Sequence, residues 1–151
     1  MLNEGPKKPT PQEFADSAAQ TDGYEIAAAR AALAQSRHPR VRAFAEQMLA
    51  EHETTGRTLR EAAKASGLEA PDARVGGDDA RFLAGLQSLR GEAFDREYGR
   101  QQVLTHVKAV AVMRSYAAKG SDANLRRWAA TTVTMIEGHL QTARQLPQPA
   151  S

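Results

Sequence analysis

Residues 41–63 repeat small and apolar side chains about every 3.5 positions. This spacing is typical of a helix that packs along its whole length against other helices. The members of this stripe are Val41, Phe44, Ala45, Met48, Thr55, Leu59 and Ala62. His52 occupies a position where the pattern predicts a core residue. The segment therefore predicts a helical fold with one polar side chain in its core.

The remainder of the 151 residues continues the helical pattern. Alanine is abundant, aromatic residues make up 5%, and no segment alternates as a strand would. Long helices are predicted at 14–36, 39–66, 92–118 and 123–146, with a short helix ending near Leu89. Most connections are short, so successive long helices should run antiparallel. The prediction is an all-α, up-down-up-down four-helix bundle with a short extra helix between its second and third members.

The ends of the chain and its charge indicate the domain boundaries and limit the kinds of partner. Residues 1–12 are predicted to be a disordered leader, 13–146 the bundle, and 147–151 a disordered tail. The net charge is +2 and the arginines are scattered, which argues against nucleic acid as a partner. There is no cysteine, and no apolar run approaches the roughly 20 residues that would cross a bilayer. A homodimer is left open.

Each predicted long helix carries one metal-capable side chain on its apolar stripe. These side chains are Glu25, His52, His106 and His139. With about 1.5 Å of rise per residue, all four fall in the middle third of a bundle roughly 35–40 Å tall. A buried imidazole needs a partner for each ring nitrogen, and a shared metal would satisfy three such rings together. Three histidines and one glutamate favour zinc, with copper or iron as alternatives.

Several alternatives to this set stay open at the level of sequence. A single histidine on an apolar stripe is more often an ordinary core residue than a ligand. Glu25 would point outward if its helix were rotated toward Ile26, and Glu51 or Glu137 would then replace it. Asp95 and Tyr98 lie close enough in helical phase to His106 to act as hydrogen-bonding neighbours of the site, although an ordinary polar role is the expected one for both. His38 precedes a proline in a turn and is expected at the surface.

Three segments, 23–55, 91–113 and 129–146, resemble a bacterial ferritin-like four-helix family of unknown function. The motifs that carry the resemblance are Glu51-His52, Phe94-Asp95-x-x-Tyr98 followed by His106, and His139-Leu140-x-x-Ala143. Members of that family are usually exported, so the resemblance implies a periplasmic or secreted protein whose signal is absent from this chain. It does not imply a di-iron oxidase, because the chain lacks the Glu-x-x-His pairs of such proteins.

These observations predict a mononuclear, metal-binding protein that serves metal handling or stress tolerance outside the cytoplasm and is not an enzyme. Two other functions remain compatible with the sequence. One is a metal-dependent oxidase or hydrolase with an open coordination position. The other is a metal-free helical interaction module whose histidines are satisfied by neighbouring side chains.

Overall fold

The computed structural model describes residues 8–150, which form five helices and no strand. The helices are α1 (Pro11–Gln35), α2 (Pro39–Ala65), α3 (Gly77–Gln87), α4 (Gly91–Lys119) and α5 (Ala123–Ala143). The all-α prediction is confirmed, and the predicted boundaries differ from the observed ones by at most three residues. Within the described range, no helix has the length and apolarity to span a membrane. Residues 1–7 of the predicted leader and Ser151 of the predicted tail lie outside the described range.

Local sequence signals begin the first two helices. Thr10 and Glu13 form a capping box at α1, in which the Thr10 hydroxyl accepts from the Glu13 amide at 3.1 Å and the Glu13 carboxylate accepts from the Thr10 amide at 3.1 Å. Pro39 is the first residue of α2, where its missing N–H costs no hydrogen bond. His38 caps the same helix, because its Nδ1 accepts from the Arg40 amide at 3.2 Å.

The long helices pack in four pairs that close a ring: α1 with α2, α2 with α5, α5 with α4, and α4 with α1. The short helix α3 lies against α1 and α4. Each long helix thereby presents one face to a shared interior. This ring determines which side chains can meet at the same height.

The buried apolar residues form two clusters. The buried polar residues between them, which include His52, His106 and His139, are called the polar layer. The first cluster includes Phe44, Met48, Phe94 and Tyr98, and the second includes Phe14, Leu59, Val110 and Trp128. Along α2, α4 and α5, the chain passes from one cluster to the other at a histidine. The three histidines therefore lie in the interior between two apolar regions, where water is scarce.

Two glycines permit close approaches of irregular segments to this interior. A Cβ at Gly23 would lie 2.4 Å from the carbonyl oxygen of Ala73, so the α2–α3 connection can cross α1 only over a glycine. A Cβ at Gly99 would lie 1.9 Å from the carbonyl oxygen of Pro147. The chain that follows α5 thus packs back against α4 as far as Pro147.

Candidate metal centre

Three helices bring their histidines together at the polar layer. His52 on α2, His106 on α4 and His139 on α5 are each 2% exposed. One ring nitrogen from each histidine lies within 4.8 Å of a ring nitrogen from both of the others. The ring centroids are 5.5–6.1 Å apart. The histidine part of the predicted site is therefore assembled by the fold.

His52 is held by a carboxylate from α1. Its Nδ1 lies 2.7 Å from Oδ1 of Asp22, and the Thr55 hydroxyl donates to the same oxygen at 2.8 Å. Asp22 itself is buried. The Nε2 atom of His52 has no hydrogen-bond partner among the described residues.

The other two histidines follow the same arrangement. Nδ1 of His106 donates to the backbone carbonyl of Gln102, one helical turn earlier, at 2.8 Å. Nε2 of His139 is hydrogen-bonded to the carboxylate of Glu51 on α2. Within the described chain, Nε2 of His106 and Nδ1 of His139 have no partner. Each ring thus has one nitrogen engaged by an oxygen acceptor and one nitrogen that is buried and unengaged.

The engaged nitrogens determine the tautomers. A carboxylate or carbonyl oxygen accepts a hydrogen bond, so the ring nitrogen that faces it carries the proton. The opposite nitrogen of a neutral imidazole is then a lone-pair acceptor. Metal-ligating histidines in proteins almost always show this pattern, with the second N–H donated to a carboxylate or carbonyl that orients the ring. The three unengaged nitrogens are His52 Nε2, His106 Nε2 and His139 Nδ1.

Glu25, on α1, is fully buried. It lies beside His52, His106 and His139, which together are called the histidine triad. Its Oε1 accepts from the Thr105 hydroxyl at 2.9 Å and lies 4.0 Å from Nδ1 of His106. Its Oε2 has no partner among residues 8–150. Burial raises the pKa of this carboxyl, although the charge of protonated His52 would lower it. Glu25 therefore faces the interior as predicted, and its coordination of a metal stays a prediction.

Burial and mutual repulsion keep the imidazoles from charging together. Burial lowers the pKa of His106 to about 4, and the nearby charge of His52 lowers it further. Burial also lowers the pKa of His139. Burial would lower the pKa of His52 as well, but the hydrogen bond to Asp22 and the charge of Glu25 outweigh it, so that this pKa is raised. Near neutral pH, His106 and His139 are thus present in the form that binds metals.

The remaining residues predicted near the site have different positions. Glu51 touches His139, as described above. Tyr98 is buried, with its ring 6.0 Å from that of Phe94 and 6.1 Å from that of Phe44, and its hydroxyl has no hydrogen-bond partner in the described structure. Asp95 accepts from the Ser36 hydroxyl at 2.5 Å, beside the turn between α1 and α2. Glu137 pairs with Arg114 at 2.7 Å on the exposed surface of α4 and α5. Asp95 and Glu137 therefore form contacts outside the histidine triad.

Asp22 contacts a triad histidine but was not among the residues predicted from the sequence. It lies three positions before Glu25 on α1, so the two carboxylates share a face of that helix. That spacing was the available signal. This spacing was weak evidence for a role at the site. A second inward carboxylate is expected only when a histidine on another helix is known to contact it.

Comparisons with known proteins agree with the fold. A family model described as a domain of unknown function, DUF4142, matches residues 2–146. No curated protein matches the sequence. A DUF305 fragment from Deinococcus radiodurans is 20% identical, with a TM-score of 0.77 over 93% of this chain and 97% of that chain.

Structures of CopM are similar to the same degree. The Cu(I)-bound form is 18% identical, with a TM-score of 0.74 over 91% of this chain and 95% of its own. The Cu(II)-bound form is 17% identical, with a TM-score of 0.75 over 92% and 96%. At these identities the similarity establishes the helical fold alone.

Proposed function

This chain belongs to the DUF4142 family of unknown function, and we propose that it binds one transition-metal ion through His52, His106 and His139. The observation that carries the proposal is that three buried histidines, each with one unengaged ring nitrogen, place a ring nitrogen within 4.8 Å of one another. Unprotonated imidazole nitrogens cannot form hydrogen bonds among themselves. Leaving them unsatisfied in the interior would cost free energy at each ring. A cation bound at their centre removes that cost.

The charges around the triad complement a divalent ion. Asp22, Glu25 and Glu51 are the carboxylates that contact the histidines or lie 4.0 Å from them. When ionised they place three negative charges near the site, and the histidines themselves contribute none when neutral. A buried cation would offset these charges, which otherwise repel one another in a region of low dielectric constant.

Glu25 is the residue that we assign as the fourth ligand. Its Oε2 is buried without a partner in the described chain, and it lies on α1, the one long helix that carries no histidine. With Glu25 bound, each helix of an antiparallel four-helix bundle would contribute one ligand. Three imidazole nitrogens and one carboxylate oxygen form a closed, four-coordinate set of the kind found in structural zinc sites.

Zinc is the metal that we propose for the resident site, with copper as its main competitor. Imidazole and carboxylate suit both ions, and Cu(II) binds a given nitrogen and oxygen site more tightly. The solved structures of similar fold include CopM with Cu(I), Cu(II) and silver bound. The proposed role is metal handling outside the cytoplasm without catalysis, since a closed ligand set leaves no position for a substrate.

Metal analysis of the purified chain tests the proposal. We expect one ion per chain after reconstitution with zinc, copper or iron in turn, and competition among the three ranks their affinities. At a free metal concentration about 100 times the Kd, binding adds about 2.7 kcal/mol, and Tm should rise by roughly 5–10 °C. The substitution His106→Leu should abolish both signals.

The matched control is His38→Asn, which removes a histidine outside the triad and keeps a side chain suited to capping α2. This variant should bind one ion with an unchanged Kd. No bound metal after all three reconstitutions, or equal binding by the two variants, would contradict the proposal. An unchanged Tm with and without chelator would favour a metal-free interaction module.

A further inference from the structure

A pocket between α1 and α2 leads from the surface to the edge of the histidine triad. It has a volume of about 190 Å³, and its lining includes both Asp22 and His52. Glu53 and Arg60 line it as well and are exposed. The pocket therefore offers a connection between solvent and a ring that carries one of the three unengaged nitrogens.

Asp22, one of the residues that line this pocket, has a buried carboxylate oxygen without a hydrogen-bond partner in the described chain. Oδ1 of Asp22 accepts from His52 and Thr55, whereas Oδ2 has no partner in the described part of the chain. Asp22 is 7% exposed, so this oxygen is desolvated and unsatisfied. A desolvated carboxylate oxygen on a residue that lines a solvent-connected pocket is a favourable first contact for a cation that sheds its water.

Small residues keep the pocket open. Gly56 on α2 lies close to Oδ2 of Asp22. A Cβ at this position would be 3.7 Å from that oxygen and 3.5 Å from the Arg60 guanidinium. Gly23 on α1 allows the α2–α3 connection to close the pocket from one side through Pro71 and Ala73. A larger side chain at position 56 would narrow the passage without touching a histidine.

We infer that this pocket is the port through which the metal ion reaches and leaves the triad, with Oδ2 of Asp22 as its first ligand. The inference rests on the proposed function. In this arrangement Asp22 has two tasks that use different oxygens. One oxygen orients His52, and the other receives the cation and passes it to the same ring.

Two other approaches to the site are less suitable. A larger pocket of about 310 Å³ between α1, α3 and α4 reaches Thr105, but its hydroxyl is already bonded to Glu25 and no histidine lines the pocket. Between α2 and α5, the carboxylate of Glu51 is hydrogen-bonded to Nε2 of His139. Neither approach presents an unengaged oxygen in the lining of a pocket that also contains a triad histidine.

A glycine substitution tests the port. The change Gly56→Val should slow the association of Zn²⁺ and its release to excess EDTA, each by roughly tenfold or more, since a narrower passage raises both barriers. Because both rates fall together, the Kd should stay the same. Gly85→Val on α3 is the matched control, since a Cβ there meets nothing within 4 Å, and it should exchange zinc at the wild-type rate.

The result remains informative if valine disturbs α2. Gly56→Ala places only a methyl group in ordinary contact with its neighbours and favours the helix, so it should fold and still slow both rates. Wild-type exchange rates in both Gly56 variants would overturn the port while leaving the metal site in place. Failure of the wild-type chain to bind metal would instead overturn the proposed function.

The charge at the opening provides an independent measurement. The guanidinium of Arg60 repels an approaching cation, so Arg60→Ala should raise the Zn²⁺ association rate, and the increase should shrink as salt is added. Arg57→Ala removes an exposed arginine of the same helix that does not line the pocket. Equal effects of the two substitutions would contradict entry beside Arg60, because they would reflect net charge alone.

Discussion

At each histidine of the triad, the hydrogen bond at one ring nitrogen determines the chemistry of the other. His52 and His139 donate to the carboxylates of Asp22 and Glu51, and His106 donates to a backbone carbonyl. A charged acceptor increases the electron density of the ring more than a neutral carbonyl does, so the first two rings should be the stronger donors to a metal. The proposed site therefore combines two carboxylate-supported histidines with one that is supported by its own helix.

The substitution Asp22→Asn tests this support at the scale of one residue. An asparagine keeps the shape and an acceptor oxygen for His52 but removes the charge. We expect metal affinity to fall by roughly 10- to 100-fold, as measured by competition with a chelator of known affinity. Asp78→Asn is the control, since Asp78 is exposed on α3 and pairs with Arg81 at 3.5 Å. Equal affinities of the wild type and Asp22→Asn would contradict the role of the Asp22 charge.

Hydrogen bonds join the C-terminal end of α2 to the N-terminal end of α5. The Asp122 carboxylate caps α5 by accepting from the Leu125 amide at 2.9 Å, and it accepts from the hydroxyl of Ser66, the residue that ends α2, at 2.7 Å. Asn124 donates to the same hydroxyl at 2.9 Å. These two helices carry His52 and His139, so the junction helps to set the relative height of two of the proposed ligands.

Removing this cap should destabilise the fold in a pH-dependent way. Partial burial raises the pKa of Asp122, but the hydrogen bonds from Leu125 and Ser66 outweigh it and lower the pKa below the usual value of 3.8. The carboxylate therefore stabilises the fold above about pH 4 and loses this effect as pH falls through its lowered pKa. We expect Asp122→Ala to cost about 1 kcal/mol at pH 7, or roughly 2–4 °C in Tm.

The corresponding measurement is thermal unfolding of the wild type and Asp122→Ala from pH 7 down to pH 3 in the absence of metal. The difference in Tm between the two proteins should narrow at the acid end of the range. A difference that stays constant with pH would show that the effect of Asp122 does not depend on its charge.

Over the whole molecule, the metal site should distribute stability unevenly. The ligands that we propose come from α1, α2, α4 and α5, which form the closed ring of contacts. The short helix α3 contributes no ligand, has one buried residue, Leu86, and has no side-chain cap at its start. Binding at the centre of the ring should therefore stabilise the four long helices against opening, whereas α3 should gain little.

Hydrogen exchange with and without zinc measures this distribution. Amides around His52, His106 and His139 should exchange more slowly when metal is bound, because their opening requires loss of the ion. Amides of α3 should exchange at nearly the same rate in both states. Protection of α3 equal to that of the long helices would indicate that the whole described chain opens as one unit.

Much of this architecture could be predicted from the chain itself. Helix lengths and ends followed from Pro39, from the glycines of the connections and from the spacing of apolar residues. The common height of the three histidines followed from helix geometry, because rise and rotation per residue are nearly constant. The family resemblance correctly implied a domain of unknown function, whereas its ferritin-like assignment and the exported location stay predictions.

The partners of the histidines could not be predicted in the same way. Helical spacing indicates which face a residue occupies, but contacts across helices depend on the rotation and offset of each pair, which sequence spacing leaves undetermined. Asp95 is thus bonded to Ser36 and Glu137 to Arg114, while Asp22 supports His52 without having been identified. The sequence by itself determined that three imidazoles share a buried layer, because periodicity specifies face and height. Only the tertiary structure decided which nitrogen of each ring is free, because that depends on the one oxygen that packing brings to its other side.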